Sequence, residues 1–165
     1  MENTYDLADY VSFHTGLRPA SKVTLLRHMA SAMFERRGLS RDQIEIIANR
    51  LLEREDVLST GIGSGVAIPH AAVEVDILND FHLGAFYAAT AIDFDALDGR
   101  PVWVFFCLVG PKDRHVGRYV KSMSRLSRVL RRGGWAIEHP PEHPEAWEAL
   151  IAKLLCEVSY KGPLR

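Results

Sequence analysis

TGIGSGVAIPHA, residues Thr60 to Ala71, places three glycines within five positions and then runs through a short apolar stretch into Pro69 and His70. Such a stretch can cradle a phosphate, turn tightly between two strands, or present one histidine to a partner, and each reading leads to a different fold. Glycine loops that hold nucleotide phosphates open directly onto a helix, whose N-terminal amides and dipole bind the anion. Here the glycines lead into Val66-Ala67-Ile68-Pro69, which is strand-like and forbids a helix at that place. GIGSG also lacks both the GxGxxG spacing and the Lys-Ser/Thr pair of a phosphate loop. Two readings remain, a hairpin followed by a structural histidine and a scaffold for a reactive one. Pro69 fixes the backbone before His70, and the small residues of AIPHAA leave the ring uncovered. A rigid, accessible imidazole with a pKa near neutrality suits a nucleophile.

Working outward, Ser21 can cap a helix in which Val23, Leu26, Ala30 and Met33, with Leu25 and Met29 beside them, recur at helical spacing. Arg36, Arg37 and Gly38 close it. Ser40 and Gln43 have the form of a capping box, and Ile44, Ile47, Ala48, Leu51 and Leu52 give a second apolar stripe. The period then changes. VAIPH (66–70), HLGAFYAAT (82–90) and PVWVFFCLVG (101–110) are short apolar runs bounded by turn formers, as strands are. The last does not alternate, so it is expected to be covered on both faces. Asp98-Gly99 marks a turn in the connection before it. A long helix is expected from Asp113 to about Arg132, ended by Gly133-Gly134, and after the rigid HPPEHP a final helix from Glu145 to about Val158. The order predicts an α/β fold, a mixed parallel/antiparallel central sheet flanked by helices on both faces, in a single domain over 1–165. His70 is expected at a strand end, in a shallow depression.

Composition narrows the function. Apolar residues make up 47% and charged residues 25% of the chain, which is ordinary for a globular protein. A net charge of -1 gives no bulk attraction to nucleic acid or anionic membrane. The two cysteines, Cys107 and Cys156, have no metal-ligand spacing, and Cys107 sits in an apolar run as a small buried hydrophobe. Neither a metal nor another cofactor is expected. With no signal segment and no membrane-spanning stretch, the chain reads as cytoplasmic. Arg114, Arg118, Lys121, Arg125, Arg128, Arg131 and Arg132 on the long helix form either a solvated face or a docking surface for an acidic region of a partner.

LEREDVLSTGIGSGVAIPHA (52–71), followed by AIDFDALDGRPVWVFFCLVGP (91–111), resembles the IIA component of the bacterial phosphoenolpyruvate-dependent phosphotransferase system, in its fructose/mannitol and nitrogen-regulatory branch. The resemblance implies that His70 is phosphorylated on Nε2 by the phosphocarrier HPr or its nitrogen-branch relative. It matches Arg54 to an arginine beside that histidine. Transfer between histidines needs an unprotonated nitrogen in line with phosphorus and groups that neutralise the moving charge. Besides Arg54, Thr60 and the amides around Gly61, Gly63 and Gly65 are candidate phosphate donors. Many relatives carry a second histidine at the start of the helix after the third strand. That pattern laid on YVKSMSRLSRVL puts Tyr119 there, while His115 lies one helical turn earlier. Either His115 supplies the imidazole, or a short insertion shifts the register, or His115 has no role. The chain carries no IIB-like cysteine motif, which favours a regulatory switch acting on a kinase or transporter. Phosphate donation to a IIB protein, or a module that binds partners without being phosphorylated, are the alternatives.

Overall fold

A computed structural model describes residues 11–112 and, beyond them, helical residues at Ser124, Ser127, Arg128, Glu148, Ala149 and 151–153. Its elements are β1 (Val11–Leu17), α1 (Lys22–Phe34), a 3₁₀ turn over Glu35–Arg37, α2 (Arg41–Val57), β2 (Gly61–Gly63), β3 (Val66–Ala67), β4 (His70–Val73), β5 (His82–Ile92) and β6 (Val102–Pro111). The strands form one sheet in the order β1-β5-β6-β3-β2, with β4 also paired to β6. β1/β5, β3/β6 and β4/β6 are parallel, whereas β5/β6 and β2/β3 are antiparallel, so the sheet is mixed, as expected.

The expected strand 66–70 is divided. β3 and β4 nevertheless share one register on β6, with Val66 opposite Val104, Ala67 opposite Phe105, His70 opposite Leu108 and Ala71 opposite Val109. Pro69 causes the break because it has no N–H to donate. Its carbonyl still accepts from Leu108 N (2.9 Å), and Ile68 N donates to Thr60 O (2.9 Å) on the other side. The line therefore stays on β6 across one missing donor, while Ile68 faces the hairpin side.

The glycine stretch is a hairpin. Ser64 and Gly65 both have positive φ (55° and 76°), the requirement of a two-residue turn whose twist matches that of the strands. Asp98 braces it by accepting from Ser64 N at 2.9 Å. Gly61 is needed for a different reason, since a Cβ there would lie 2.8 Å from both Cα and Cβ of Ala96.

Both capping boxes form, Ser21 with Thr24 on α1 and Ser40 with Gln43 on α2. α1 buries Leu25, Leu26, Met29, Ala30, Met33 and Phe34, but Val23 is 51% exposed, because it falls in the first turn at the margin of that stripe. α1 and α2 pack on one face of the sheet with Phe86, Phe105, Cys107 and Val109. The other face gathers Val66, Leu83, Ala85, Val104, Phe106 and Leu108 around Ile151. Strand β6 is thus covered on both faces, as its unbroken apolar run requires. Each fully buried Phe or Leu in these layers contributes about 1.5–3 kcal/mol relative to exposure. Cys107 is fully buried and its thiol pKa is pushed up by that burial.

Replacing Gly61 by Ala should force the 94–97 connection away from the hairpin and lower stability by about 2 kcal/mol, read from the urea midpoint; an unchanged midpoint would refute the close-approach argument. A pH effect comes from His82, whose pKa is pushed down to about 4, first by burial and then by the Arg37 guanidinium, while Asp80 acts the other way. As pH falls below about 6.5 the unfolded chain takes up this proton before the folded one, so stability declines until pH reaches about 4. Solvent reaches part of the ring, so the loss is on the order of 1 kcal/mol. His82→Gln should flatten that part of a stability-versus-pH curve.

Candidate functional site

The last turn of α2 and the first residue of β4 meet at the Pro69 break. α2 ends at Val57, and Leu58 leaves it in an extended conformation. Arg54 lies in that last turn, where a cation favours the negative end of the helix dipole, and its Nη1 donates to Leu58 O at 2.9 Å. Its Nε donates to His70 Nε2 at 3.0 Å. On the other side of the ring, His70 Nδ1 lies 2.9 Å from Ile68 O.

These two contacts fix the tautomer by elimination. A guanidinium can only donate and a carbonyl can only accept, so Nδ1 carries the proton and Nε2 keeps its lone pair. His70 is half-buried, and its pKa is lowered from the ordinary histidine value chiefly by burial, with the Arg54 charge adding to that. The Ile68 carbonyl and the Glu55 carboxylate pull the other way. The result is a neutral imidazole whose Nε2 is basic, held and pointed at a cation.

Thr60 is buried, and its backbone N and hydroxyl both donate to Glu55, at 2.9 and 2.5 Å. A hydroxyl has one proton, so in this geometry Thr60 serves Glu55 and has none left for an anion. Gly61 N donates to Ser59 Oγ at 3.1 Å, and Gly65 O accepts from Trp103 N and Val104 N. The amides of Thr60, Gly61 and Ser64 thus already donate, to Glu55, Ser59 and Asp98, and Gly61, Gly63 and Gly65 shape the hairpin. His115 and Tyr119 lie outside the described residues, as do most positions of the expected basic helix. Sequence reasoning missed Glu55 and Lys22, which form a 2.9 Å ion pair behind Arg54. The signal available was a lysine at the first position of a helix, where the dipole disfavours it. Among the described residues no group of three or more His, Cys, Asp or Glu could hold a metal ion. No helix among them is long and apolar enough to cross a membrane.

A mixed sheet thus holds one histidine between a backbone carbonyl at Nδ1 and an arginine at Nε2. Residues 9–133 match the family model for the phosphoenolpyruvate-dependent sugar phosphotransferase system EIIA 2 domain, and the chain belongs to that family. A nitrogen regulatory protein of Klebsiella oxytoca is 39% identical over 95 residues, 57% of this chain and 56% of that protein. One from Bradyrhizobium diazoefficiens is 32% identical over 115 residues, 70% of this chain and 71% of that protein. A fructose-specific EIIA component of Haloferax volcanii is 36% identical over 89 residues, covering 54% and 56%. Several of the curated relatives are thus matched over about half their length. The nitrogen regulatory protein IIA-Ntr of Neisseria meningitidis shares the fold with a TM-score of 0.73 at 22% identity, over 90% of this chain and 98% of that one. Mannitol IIA of Escherichia coli in complex with phosphorylated IIB has a TM-score of 0.57 at 15% identity, over 88% and 94%.

Nitrogen-15 spectra of the unphosphorylated protein at neutral pH should show His70 Nδ1 protonated and Nε2 bare. Arg54→Gln should raise the His70 pKa, because it removes one of the charges that oppose protonation. A bare Nδ1 in the wild type would contradict the assigned tautomer.

Proposed function

We propose that the chain is a histidine phosphoacceptor of the phosphotransferase system, taking a phosphoryl group on His70 Nε2 from HPr or its nitrogen-branch relative in the cytoplasm. The observation that carries this reading is the Ile68 O contact to Nδ1, which leaves Nε2 as the ring's nucleophilic atom. The Nε2 lone pair attacks phosphorus in line, the bond from phosphorus to the donor imidazole breaks, and its electron pair returns to the donor nitrogen. For that attack Arg54 Nε turns from Nε2 to the oxygens of the arriving phosphoryl group, which frees the lone pair and sets the planar fork of donors against those oxygens. Exposed Val57, Leu58 and Leu97 are borne by the turn after Arg54 and the connection braced on Gly61, and they offer apolar contact to a docking protein. His115 or Tyr119, in the helix expected from the sequence after β6, is the candidate for completing the site.

The main role is a regulatory switch, a reading supported by the nitrogen regulatory proteins among the relatives. Phosphorylation adds close to two negative charges at a half-buried strand end and thereby changes which proteins, such as a kinase or a transporter, bind there. The fructose-specific relatives and the mannitol IIA–IIB complex favour a second reading, donation of the phosphoryl group to a IIB protein. No nucleic acid and no membrane insertion enters either reading.

Incubation with phosphoenolpyruvate, enzyme I and HPr or its nitrogen-branch relative should add about 80 Da in acid-labile form, and His70→Ala should abolish the increase. Arg54→Gln should slow the reaction on the order of 100-fold. No mass increase with either carrier would sink the proposal.

A further inference from the structure

Among the described residues, Glu55 is the buried charged side chain that the proposed chemistry leaves unused. It follows Arg54 directly on the last turn of α2, and successive helical residues diverge in direction. Arg54 reaches His70, while Glu55 turns to Thr60 and Lys22. Lys22 opens α1, a helix with no acid in its first turn, so its ammonium sits against the helix dipole. Nζ is nonetheless fully occupied. It meets Glu55 Oε1 at 2.9 Å, Phe94 O at 3.2 Å and Asp95 Oδ2 at 3.3 Å, and lies 4.4 Å from the centre of the Phe94 ring.

From Glu55 an unbroken line of hydrogen bonds leads to the imidazole. Thr60 N and Oγ1 donate to the carboxylate, Thr60 O accepts from Ile68 N, and Ile68 O accepts from His70 Nδ1. Glu55 therefore touches both determinants of the site, the arginine beside Nε2 through the chain and the carbonyl at Nδ1 through hydrogen bonds. Its charge also reaches His70, where it favours the protonated ring. An unbalanced carboxylate at this place would oppose a phosphoryl group carrying close to two negative charges.

We propose that Lys22 and Glu55 are a positioning pair for His70: Glu55 anchors the Thr60–Ile68–His70 line that fixes the tautomer, and Lys22 cancels its charge towards the arriving phosphoryl group. The second half rests on the phosphoacceptor reading above, and the first half stands without it.

The test is a double-mutant cycle on the full chain, with imidazole pKa and tautomer read by NMR and phosphorylation read by mass. Lys22→Met keeps the stem over Phe94 and removes the charge. Glu55→Gln can keep the network, its carbonyl taking the Thr60 N and Lys22 contacts and its amide donating to Thr60 Oγ1. Lys22→Met should raise the His70 pKa and Glu55→Gln should lower it, each by about half a unit, and the double variant should return close to wild type. A purely structural role moves both single variants alike. Glu55→Ala should mix the two tautomers, whereas Glu55→Gln preserves one. Should Glu55→Ala fail to fold, the Lys22→Met and Glu55→Gln cycle decides alone. Phosphorylation of Lys22→Met should slow about 3- to 10-fold and recover in Lys22→Met/Glu55→Gln. Shifts of the same sign, or no shift in either single variant, overturn the proposal. A wild type that takes no phosphoryl group would instead overturn the phosphoacceptor reading, while the pKa and tautomer results still judge the positioning role.

Discussion

The missing N–H of Pro69 is the constraint on which the rest of this structure depends. A strand interior needs a donor at each residue, and a proline there ends pairing on one side. Here the loss falls on β6, the strand from which the Pro69 carbonyl still accepts, so that ladder lacks one donor between Ala67 and His70. The ladder is therefore interrupted at one residue, and the next residue is His70. Ile68, whose N–H is spent on Thr60, turns its carbonyl to the imidazole. Which ring nitrogen keeps its lone pair is thus chosen by backbone geometry.

Much of this was legible in the sequence because the relevant signals are local. The Ser21 cap, the Ser40 capping box, the apolar stripe of α2 and the uninterrupted run of β6 follow from periodicity and cap chemistry, and all four are present. Two strands were not legible. β1 is a half-buried strand whose Ser12, His14 and Thr15 interrupt any apolar pattern, and β2 is Gly-Ile-Gly, which has no strand propensity of its own. Both are strands only because a partner supplies the pairing, β5 in one case and β3 in the other.

The site divides along the same line. His70 and Arg54 are readable from the motif, and the 3.0 Å contact between them rests on α2 ending where β4 begins. Glu55 and Lys22 are 33 residues apart in chain order and meet through tertiary packing alone. Thr60 sits between the two classes. Its presence was evident, but the direction of its proton depends on a carboxylate that reads in sequence as one more surface charge at a helix end. Membership of the EIIA type-2 family places the histidine in context, whereas the charge balance around it comes from this chain's own contacts.

The contact between Gly61 and Ala96 has a consequence for how such a sequence can change over time. The two residues belong to stretches separated by two strands, yet Gly61 cannot gain a side chain without displacing Ala96. The hairpin before His70 and the connection over 94–98 are therefore one inheritable unit. A graft of TGIGSGVAIPH into a foreign framework would carry the letters of the motif without the surface that shapes it.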